Sequence, residues 1–186
     1  MNLAIALLAA GGATRFGGGK LDADCAGKPL GLWALETALT VRHARLAVVV
    51  GEPGPKFARG CEVLVNERAG EGLGTSAVLA AKWAAGCDAL LILLADMPLV
   101  SPATLTRLAE ANGPAAAAYP GNKPGAPACF PSALFPALEA LTGDGGAAQV
   151  LRGLPNVRLI ETSPEELRDV DRPGDLADVA AILAAR

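Results

Sequence analysis

The chain opens on an apolar run, Leu3 to Leu8, that feeds straight into a ribbon of small residues. The stretch reads Leu7-Leu8-Ala9-Ala10-Gly11-Gly12-Ala13-Thr14-Arg15-Phe16-Gly17-Gly18-Gly19-Lys20. An unbroken apolar run suits a strand buried on both faces, the habit of parallel sheets. The glycines limit the fold further. They let the backbone take positive φ and approach an anion closely. Successive N–H groups in such a loop form a concave nest for phosphate oxygens. Arg15 and Lys20 add positive charge where a nest needs it. A plain turn from strand to helix would need fewer residues and no cations. The stretch therefore predicts a buried first strand with a nucleoside triphosphate bound at its carboxyl end.

Further along, apolar runs alternate with helical patterns. Leu46 to Gly51 and Asp88 to Leu94 are continuous; the second is the most hydrophobic and the expected central strand. Val63 to Val65, Ala115 to Tyr119, Ala128 to Phe130 and Asn156 to Glu161 are shorter strand candidates. Leu32, Leu35 and Leu39 recur at helical spacing over 32–40, and Leu176, Val179, Ala180 and Leu183 over 174–184. Helices are also expected over 77–85, capped by Thr75 or Ser76, and over 132–141 and 147–151. Ser101-Pro102 supplies an N-cap and a first-turn proline for a helix ending near Asn112-Gly113. Pro120 to Pro127 reads as loop. The alternation predicts an α/β sheet with helices on both faces.

With 186 residues, 52% hydrophobic and 19% charged, the chain suits one packed domain. Only 4% is aromatic, so the core must be Ala, Leu and Val. A net charge of −3 speaks against a nucleic-acid surface, though not against one bound nucleotide. The run from Ala89 to Ala95 is too short to span a membrane. A core strand right after Met1-Asn2 leaves no room for a signal peptide. Cys25, Cys61, Cys87 and Cys129 show no metal or redox spacing and fit reduced thiols in a cytoplasmic protein. His43 is the sole histidine, which disfavours a zinc site or a histidine-based triad.

The glycine loop is neither of two familiar phosphate loops. A P-loop needs Ser or Thr after Gly-Lys, and here Leu21 follows Lys20. A dinucleotide fingerprint needs a third glycine where Asp22 stands. Asp96 ends the expected central strand, and ligands of open α/β sheets sit outside such ends. A carboxylate there can bind Mg²⁺, which also takes phosphate oxygens and waters. In Asp169-Val170-Asp171, an extended backbone points both carboxylates to one face. Asp171, nearer the following helix, is favoured as a second metal ligand, and Asp175 suits the first turn of that helix. Asn66, Glu71, Gly72, Gly74, Thr75 and Ser76 surround a loop before a helix N-terminus, which favours an anion or a ligand hydrogen bond. Gly125-Ala126-Pro127 and Gly143-Asp144-Gly145-Gly146 suit substrate loops or plain turns. Trp33, Trp83 and the cysteines read as packing residues.

Together these motifs resemble the MobA-like nucleotidyltransferases. Leu8-Ala9-Ala10-Gly11 with Arg15-Phe16-Gly17 and Lys20 resembles the family's signature loop, and Gly27-Lys28-Pro29-Leu30 the turn after it. Asn66, Glu71-Gly72 and Ser76 resemble its substrate loop, and Ala95-Asp96-Met97-Pro98 its metal motif. Gly143-Asp144-x-Gly146-Ala147 and Asp169-Val170-Asp171-x-Pro173-x-Asp175-Leu176 match its late motifs. Within the family, Leu-Ala-Ala-Gly resembles the molybdenum cofactor cytidylyltransferases, whereas guanylyltransferases read Leu-Ala-Gly-Gly. Four features depart from the family pattern: Ala13 replaces a serine, Ala95 a glycine, Leu-Asp-Ala-Asp-Cys-Ala follows Lys20 in place of an apolar segment, and Ala126 precedes Pro127. They bear on the acceptor more than on the reaction.

The resemblance implies a single domain over 1–186, a three-layer αβα sandwich. Its sheet would be mostly parallel and Rossmann-like, of the nucleotide-diphospho-sugar transferase type. It implies transfer of CMP from CTP to the terminal phosphate of molybdopterin, with Mg²⁺ as cofactor and pyrophosphate as leaving group. A molybdoenzyme receiving the product is an expected partner; nucleic acid and membrane are not. Arg15, Lys20 and Asp96 would act in catalysis, with Mg²⁺ on Asp96 and Asp171. Leu8, Ala9, Ala10, Gly11, Gly12, Arg15, Gly17, Lys20, Asn66, Gly72 and Ser76 would hold the nucleotide. Alternatives are a guanylyltransferase, a sugar- or alcohol-phosphate nucleotidyltransferase, or a non-catalytic nucleotide-binding protein of cofactor maturation. A nicotinamide-dependent dehydrogenase is disfavoured by the failed fingerprint.

Overall fold

The structure is a computed structural model and describes residues 1–12, 16–143 and 145–185. In chain order, strand β1 is Leu3–Ala9, the short strands β2 and β3 are Asp24–Cys25 and Lys28–Pro29, and helix α1 is Leu30–Leu39. Strands β4 (Arg45–Val50) and β5 (Glu62–Val65) precede helix α2 (Leu73–Trp83). Strand β6 (Ala89–Leu94), helix α3 (Pro102–Ala109) and strands β7 (Ala115–Tyr119) and β8 (Lys123–Pro131) follow. Helices α4 (Phe135–Glu139) and α5 (Ala148–Leu151), strand β9 (Arg158–Ile160) and helix α6 (Pro173–Ala184) complete the described chain.

Seven strands form one sheet in the order β5-β4-β1-β6-β8-β7-β9, with β6 at its centre. Strands β5, β4, β1 and β6 run parallel; β8 is antiparallel to both β6 and β7, and β9 is parallel to β7. All seven residues of β1 are buried, so its side chains alternate into two cores. Leu3, Ile5 and Leu7 meet Ala34, Leu35 and Ala38 of α1 and Leu105 and Leu108 of α3. Ala4, Ala6 and Leu8 meet Ala77, Ala80 and Ala81 of α2, with Phe135, Leu138 and Leu151 beyond. This is the three-layer α/β sandwich with a mostly parallel, Rossmann-like sheet expected from the sequence. A third cluster seats Val179 and Leu183 of α6 on Cys25, Leu30 and Leu99.

Several expected boundaries move. Residues 120–127 are not a loop: Gly121 (φ 77°) and Asn122 (φ 55°) turn the chain tightly, and β8 begins at Lys123. Prolines mask the strand, because a central ladder needs N–H donors. The register solves this: Ala116 pairs with Ala128 but Ala117 with Gly125, so Ala126 and Pro127 are extra residues in a bulge. Helix α2 begins four residues early, with Gly72 and not Thr75 or Ser76 at its N-cap. Helix α1 begins at Leu30, and α3 ends at Ala109, short of Gly113. The segment expected helical over 132–141 is a 3-10 turn (Ser132–Leu134) followed by the short α4. The Ser101 cap with Pro102 inside it is as expected; Ser101 Oγ accepts the Thr104 N–H at 3.2 Å.

Candidate active site

The site lies beyond the carboxyl ends of β1, β4 and β6. After Ala9 the chain leaves the sheet, and Gly17, Gly18 and Gly19 all take positive φ (91°, 98° and 63°). None of the described residues lies within 4 Å of where their Cβ atoms would be, and the positive φ angles are what call for glycine here. A 3-10 turn, Lys20–Asp22, then carries Lys20 inward, where it is only 8% exposed.

Lys20 Nζ donates to Asp96 Oδ2 at 2.8 Å and lies 3.6 Å from Asp171 Oδ1. Asp96 stands two residues past β6; Ala95 extends the ladder to β1 through its N–H to Leu8 O at 3.0 Å. The Val170 N–H donates to Asp96 O at 3.0 Å and the Val170 side chain is fully buried. That bond brings the late acidic segment to the end of the central strand, with its two carboxylates turned away from the core. The Asp169 carboxyl is held above the usual range by desolvation, then by the charges of Asp171 and Asp96; Lys20 pulls it the other way. Asp175 is a capping residue: its Oδ2 accepts the N–H groups of Asp171 (3.1 Å) and Arg172 (2.8 Å), and these bonds lower its pKa.

Asp96 Oδ1 is buried and has no hydrogen-bond partner among the described residues. A buried, unpartnered carboxylate oxygen beside a second carboxylate fits a hard divalent cation. Among the described residues no three His, Cys, Asp or Glu side chains group as a ligand set. A cation at Asp96 and Asp171 would therefore complete its shell with water and phosphate oxygens, as Mg²⁺ does.

Beside this cluster opens a cleft of about 920 Å³. Ala9, Ala10, Gly11 and Gly12 line one side with Gly18, Gly19 and Lys20, while Gly72 and Ser76 line another. Leu8 stays in the core, 5% exposed, and Gly17 shapes the loop without lining the cleft. Asn66 turns inward: its Nδ2 donates to Thr75 Oγ1 and Ser76 Oγ, both at 2.9 Å, and its Oδ1 accepts the Arg68 N–H at 3.0 Å. It braces the first turn of α2, leaving Ser76 as the side chain of this group that reaches the cleft. Arg15 and Asp144, both singled out in the sequence, lie outside the described residues. His43 sits apart, its Nδ1 2.6 Å from Val41 O.

Two residues enter that sequence reasoning passed over. Asp22, noted only as a departure, accepts the N–H groups of Lys56 (2.8 Å) and Phe57 (3.0 Å), tying the phosphate loop to the cleft wall past β4. Tyr119 donates its hydroxyl to Ala126 O at 2.9 Å, across the bulge. Desolvation and the nearby charges of Asp169 and Asp96 push its pKa up to about 12, which puts its hydroxyl at the edge of the acidic cluster. For Asp22 the sequence signal was an acidic residue where a glycine or an apolar residue is expected. For Tyr119 it was the Gly-Asn turn that folds its strand back.

A mostly parallel sheet, a glycine loop at the end of its first strand and acidic residues at the end of its central one fit a nucleotide-binding α/β protein. The chain belongs to the MobA-like NTP transferase domain family, which it matches over residues 5–160. It is 33% identical to the purine catabolism protein PucB of Bacillus subtilis, with 89% of this chain and 90% of that protein covered. Its fold is shared with Rv0371c of Mycobacterium tuberculosis, solved as a complex with manganese (TM-score 0.75, 22% identity, 97% and 99% of the two chains covered). It is also shared with the molybdopterin-guanine dinucleotide biosynthesis protein A of Archaeoglobus fulgidus (TM-score 0.75, 20% identity, 98% and 100% covered). Among the described residues no helix is long and apolar enough to cross a membrane.

Proposed function

We propose that this nucleotidyltransferase transfers CMP from CTP to the terminal phosphate of molybdopterin, releasing pyrophosphate. The observation that carries the reading is the convergence of Lys20, Asp96 and Asp171 beside a glycine-lined cleft. The acceptor and the base rest on the sequence resemblance, chiefly the Leu8-Ala9-Ala10-Gly11 entry to the loop. The name of the Bacillus relative suits a cofactor made for an enzyme of purine breakdown.

The triphosphate would lie along the glycine loop, where backbone N–H groups of Gly11, Gly12, Gly18 and Gly19 line the cleft and would donate to its oxygens. Lys20 would meet the phosphates as a compact charge, and the sequence resemblance gives Arg15, with its fork of donors, the role of neutralising the leaving pyrophosphate. Asp96 and Asp171 would hold Mg²⁺, whose chemistry there would be to neutralise charge on phosphoryl oxygens. An acceptor phosphate oxygen attacks the α-phosphorus in line, and the bond from that phosphorus to the bridging oxygen of the β-phosphate breaks. The attacking phosphate is already ionised at neutral pH, so no protein base is required. Positioning by the cleft and its fixed charges supplies the rate.

The test is incubation with each of the four nucleoside triphosphates, Mg²⁺ and molybdopterin, read by mass spectrometry for the dinucleotide and by pyrophosphate release. CTP is expected to give product, and Asp96→Asn and Lys20→Ala to abolish it in folded protein. Near-normal turnover by folded Asp96→Asn would sink the metal assignment. Product with GTP alone would transfer the reading to a guanylyltransferase, and CTP binding without product would leave a carrier.

A further inference from the structure

The position between Asp96 and Asp171 already has a cation. Lys20 Nζ lies 2.8 Å from Asp96 Oδ2 and 3.6 Å from Asp171 Oδ1, on a side chain only 8% exposed. Mg²⁺ binds carboxylate oxygens at about 2.0–2.1 Å. A divalent cation held by Asp96 and Asp171 would therefore compete with the ammonium for the same two carboxylates. Two cations that close also repel strongly wherever water is scarce. We infer that Lys20 is a stand-in cation, holding the Asp96–Asp171 pair until a triphosphate draws its ammonium away, so that the divalent cation enters with the nucleotide and not before it. This rests on the reading of Asp96 and Asp171 as metal ligands.

The surroundings suit such an exchange. The backbone of Lys20 is fixed: it follows the left-handed Gly19, and Asp22 N–H and Ala23 N–H close the 3-10 turn on Gly19 O (3.0 Å) and Lys20 O (3.2 Å). Two residues on, Asp22 is pinned to Lys56 and Phe57. The mobile part is the four-carbon stem, which carries a point charge and not a geometric fork. Lys20 also lines the cleft next to Gly18 and Gly19, so a phosphate in the glycine loop lies on the side to which the stem can turn. Asp96 Oδ1, buried and without a hydrogen-bond partner among the described residues, then takes part in receiving the incoming ion along with the vacated Oδ2. Prior occupancy by lysine keeps neighbouring carboxylates, Asp169 included, from standing uncompensated. A bidentate arginine at position 20 would hold the carboxylates too firmly for this role.

The experiment is a Mn²⁺ titration of the full chain, followed by loss of the free-ion paramagnetic resonance signal. It is run with and without a non-hydrolysable CTP analogue and corrected for the analogue's own Mn²⁺ binding. Wild-type protein is expected to bind Mn²⁺ weakly alone and at least about tenfold more tightly with the analogue. Lys20→Met is expected to bind Mn²⁺ alone about tenfold more tightly than wild type and to gain little from the analogue. Lys20→Gln serves the same arm if the Met variant does not fold, and the wild-type arm needs no variant. Adding Asp96→Asn should remove the tight site. Equal Mn²⁺ affinity in wild type and the Lys20 variants, or tight binding by wild type without nucleotide, overturns the inference. Mn²⁺ binding indifferent to Asp96→Asn overturns instead the metal reading beneath it.

Discussion

Asp22→Ala isolates the contact that joins the phosphate loop to the cleft wall. The Asp22 carboxylate accepts two backbone N–H groups, from Lys56 at 2.8 Å and Phe57 at 3.0 Å, at the start of the 3-10 turn Lys56–Ala58. It caps that turn from outside it. The Lys56 N–H is at the surface and finds water when the carboxylate is gone. The Phe57 N–H is partly buried, beside a side chain 8% exposed, and loses a charged acceptor without full replacement. Losing a cap costs about 0.5–2 kcal/mol, and a hydrogen bond to a charged group is worth about 1.5–3 kcal/mol. With one of the two groups rehydrated, a loss of about 2 kcal/mol follows. For a chain of this size that is a fall in Tm of about 4–8 °C.

The same change reaches function. Pro53, Pro55 and Lys56 line the cleft along with Gly72 and Ser76. If the nucleotide must reorder this wall, part of the lost stability reappears as lost affinity, and about 1.4 kcal/mol is tenfold in Kd. Asp22→Ala is therefore expected to raise the nucleotide Kd about tenfold while leaving turnover at saturation near wild type. Asp22→Asn keeps one acceptor and should fall between the two. Calorimetric melting and nucleotide titration check this. An Asp22→Ala protein melting within about 1 °C of wild type, with unchanged nucleotide affinity, refutes the coupling of loop and wall.

Three further outcomes follow from packing and charge. Gly31→Ala places a Cβ 2.7 Å from Cδ1 and Cζ of Phe57, and Asp22 stops that residue from moving aside. Overpacking of about 1–3 kcal/mol then outweighs the roughly 1 kcal/mol gained in helix propensity, so thermal melting should show net destabilisation. Tyr119 is the only tyrosine, so absorbance of its phenolate should titrate near 12 in folded protein; a midpoint near 10 refutes its place beside Asp96 and Asp169. Because that pKa is raised, its stabilisation is whole below the unfolded value near 10 and is lost as pH rises toward 12; Tyr119→Phe should flatten the loss. Asp169 also has a raised pKa, so the preference is whole at acid pH and is lost above the carboxylate range. Asp169→Asn should stabilise the protein at pH 7 by at most about 0.5 kcal/mol, since solvent screens the site, and the gain should vanish in acid melts.

How much could be read in advance divides along a physical line. Strands β1, β4 and β6 are covered on both faces, so each is a continuous apolar run and was legible almost to the residue. Strand β8 was legible only over Ala128 to Phe130, because its Ala126-Pro127 bulge tolerates proline inside a central strand, and that tolerance belongs to the register and not to local composition. The site divides in the same way. The glycine run announced its own backbone, since three positive φ angles in a row are nearly the property of glycine alone. Asp96 was marked by the end of the most apolar strand. The approach of Lys20 to Asp96 spans 76 residues of chain, and no local pattern encodes it.

Asn66 shows what a sequence leaves open. Its place in a polar loop suggests a ligand contact, and in the structure both side-chain polar atoms are engaged with Thr75, Ser76 and Arg68. A polar residue in a loop of this kind has two possible customers, the ligand and the helix turn below it, and only tertiary structure assigns it. Asp22 shows that a departure from a family pattern can be a brace. Glycine in the preceding loop leaves that backbone little intrinsic rigidity, and a carboxylate at position 22 restores it at the exit by holding a neighbouring wall. Lys20 sits between that brace and Asp96. Its backbone is thus held on one side while its charge is held on the other, which is the arrangement an exchange of partners by the Lys20 side chain requires.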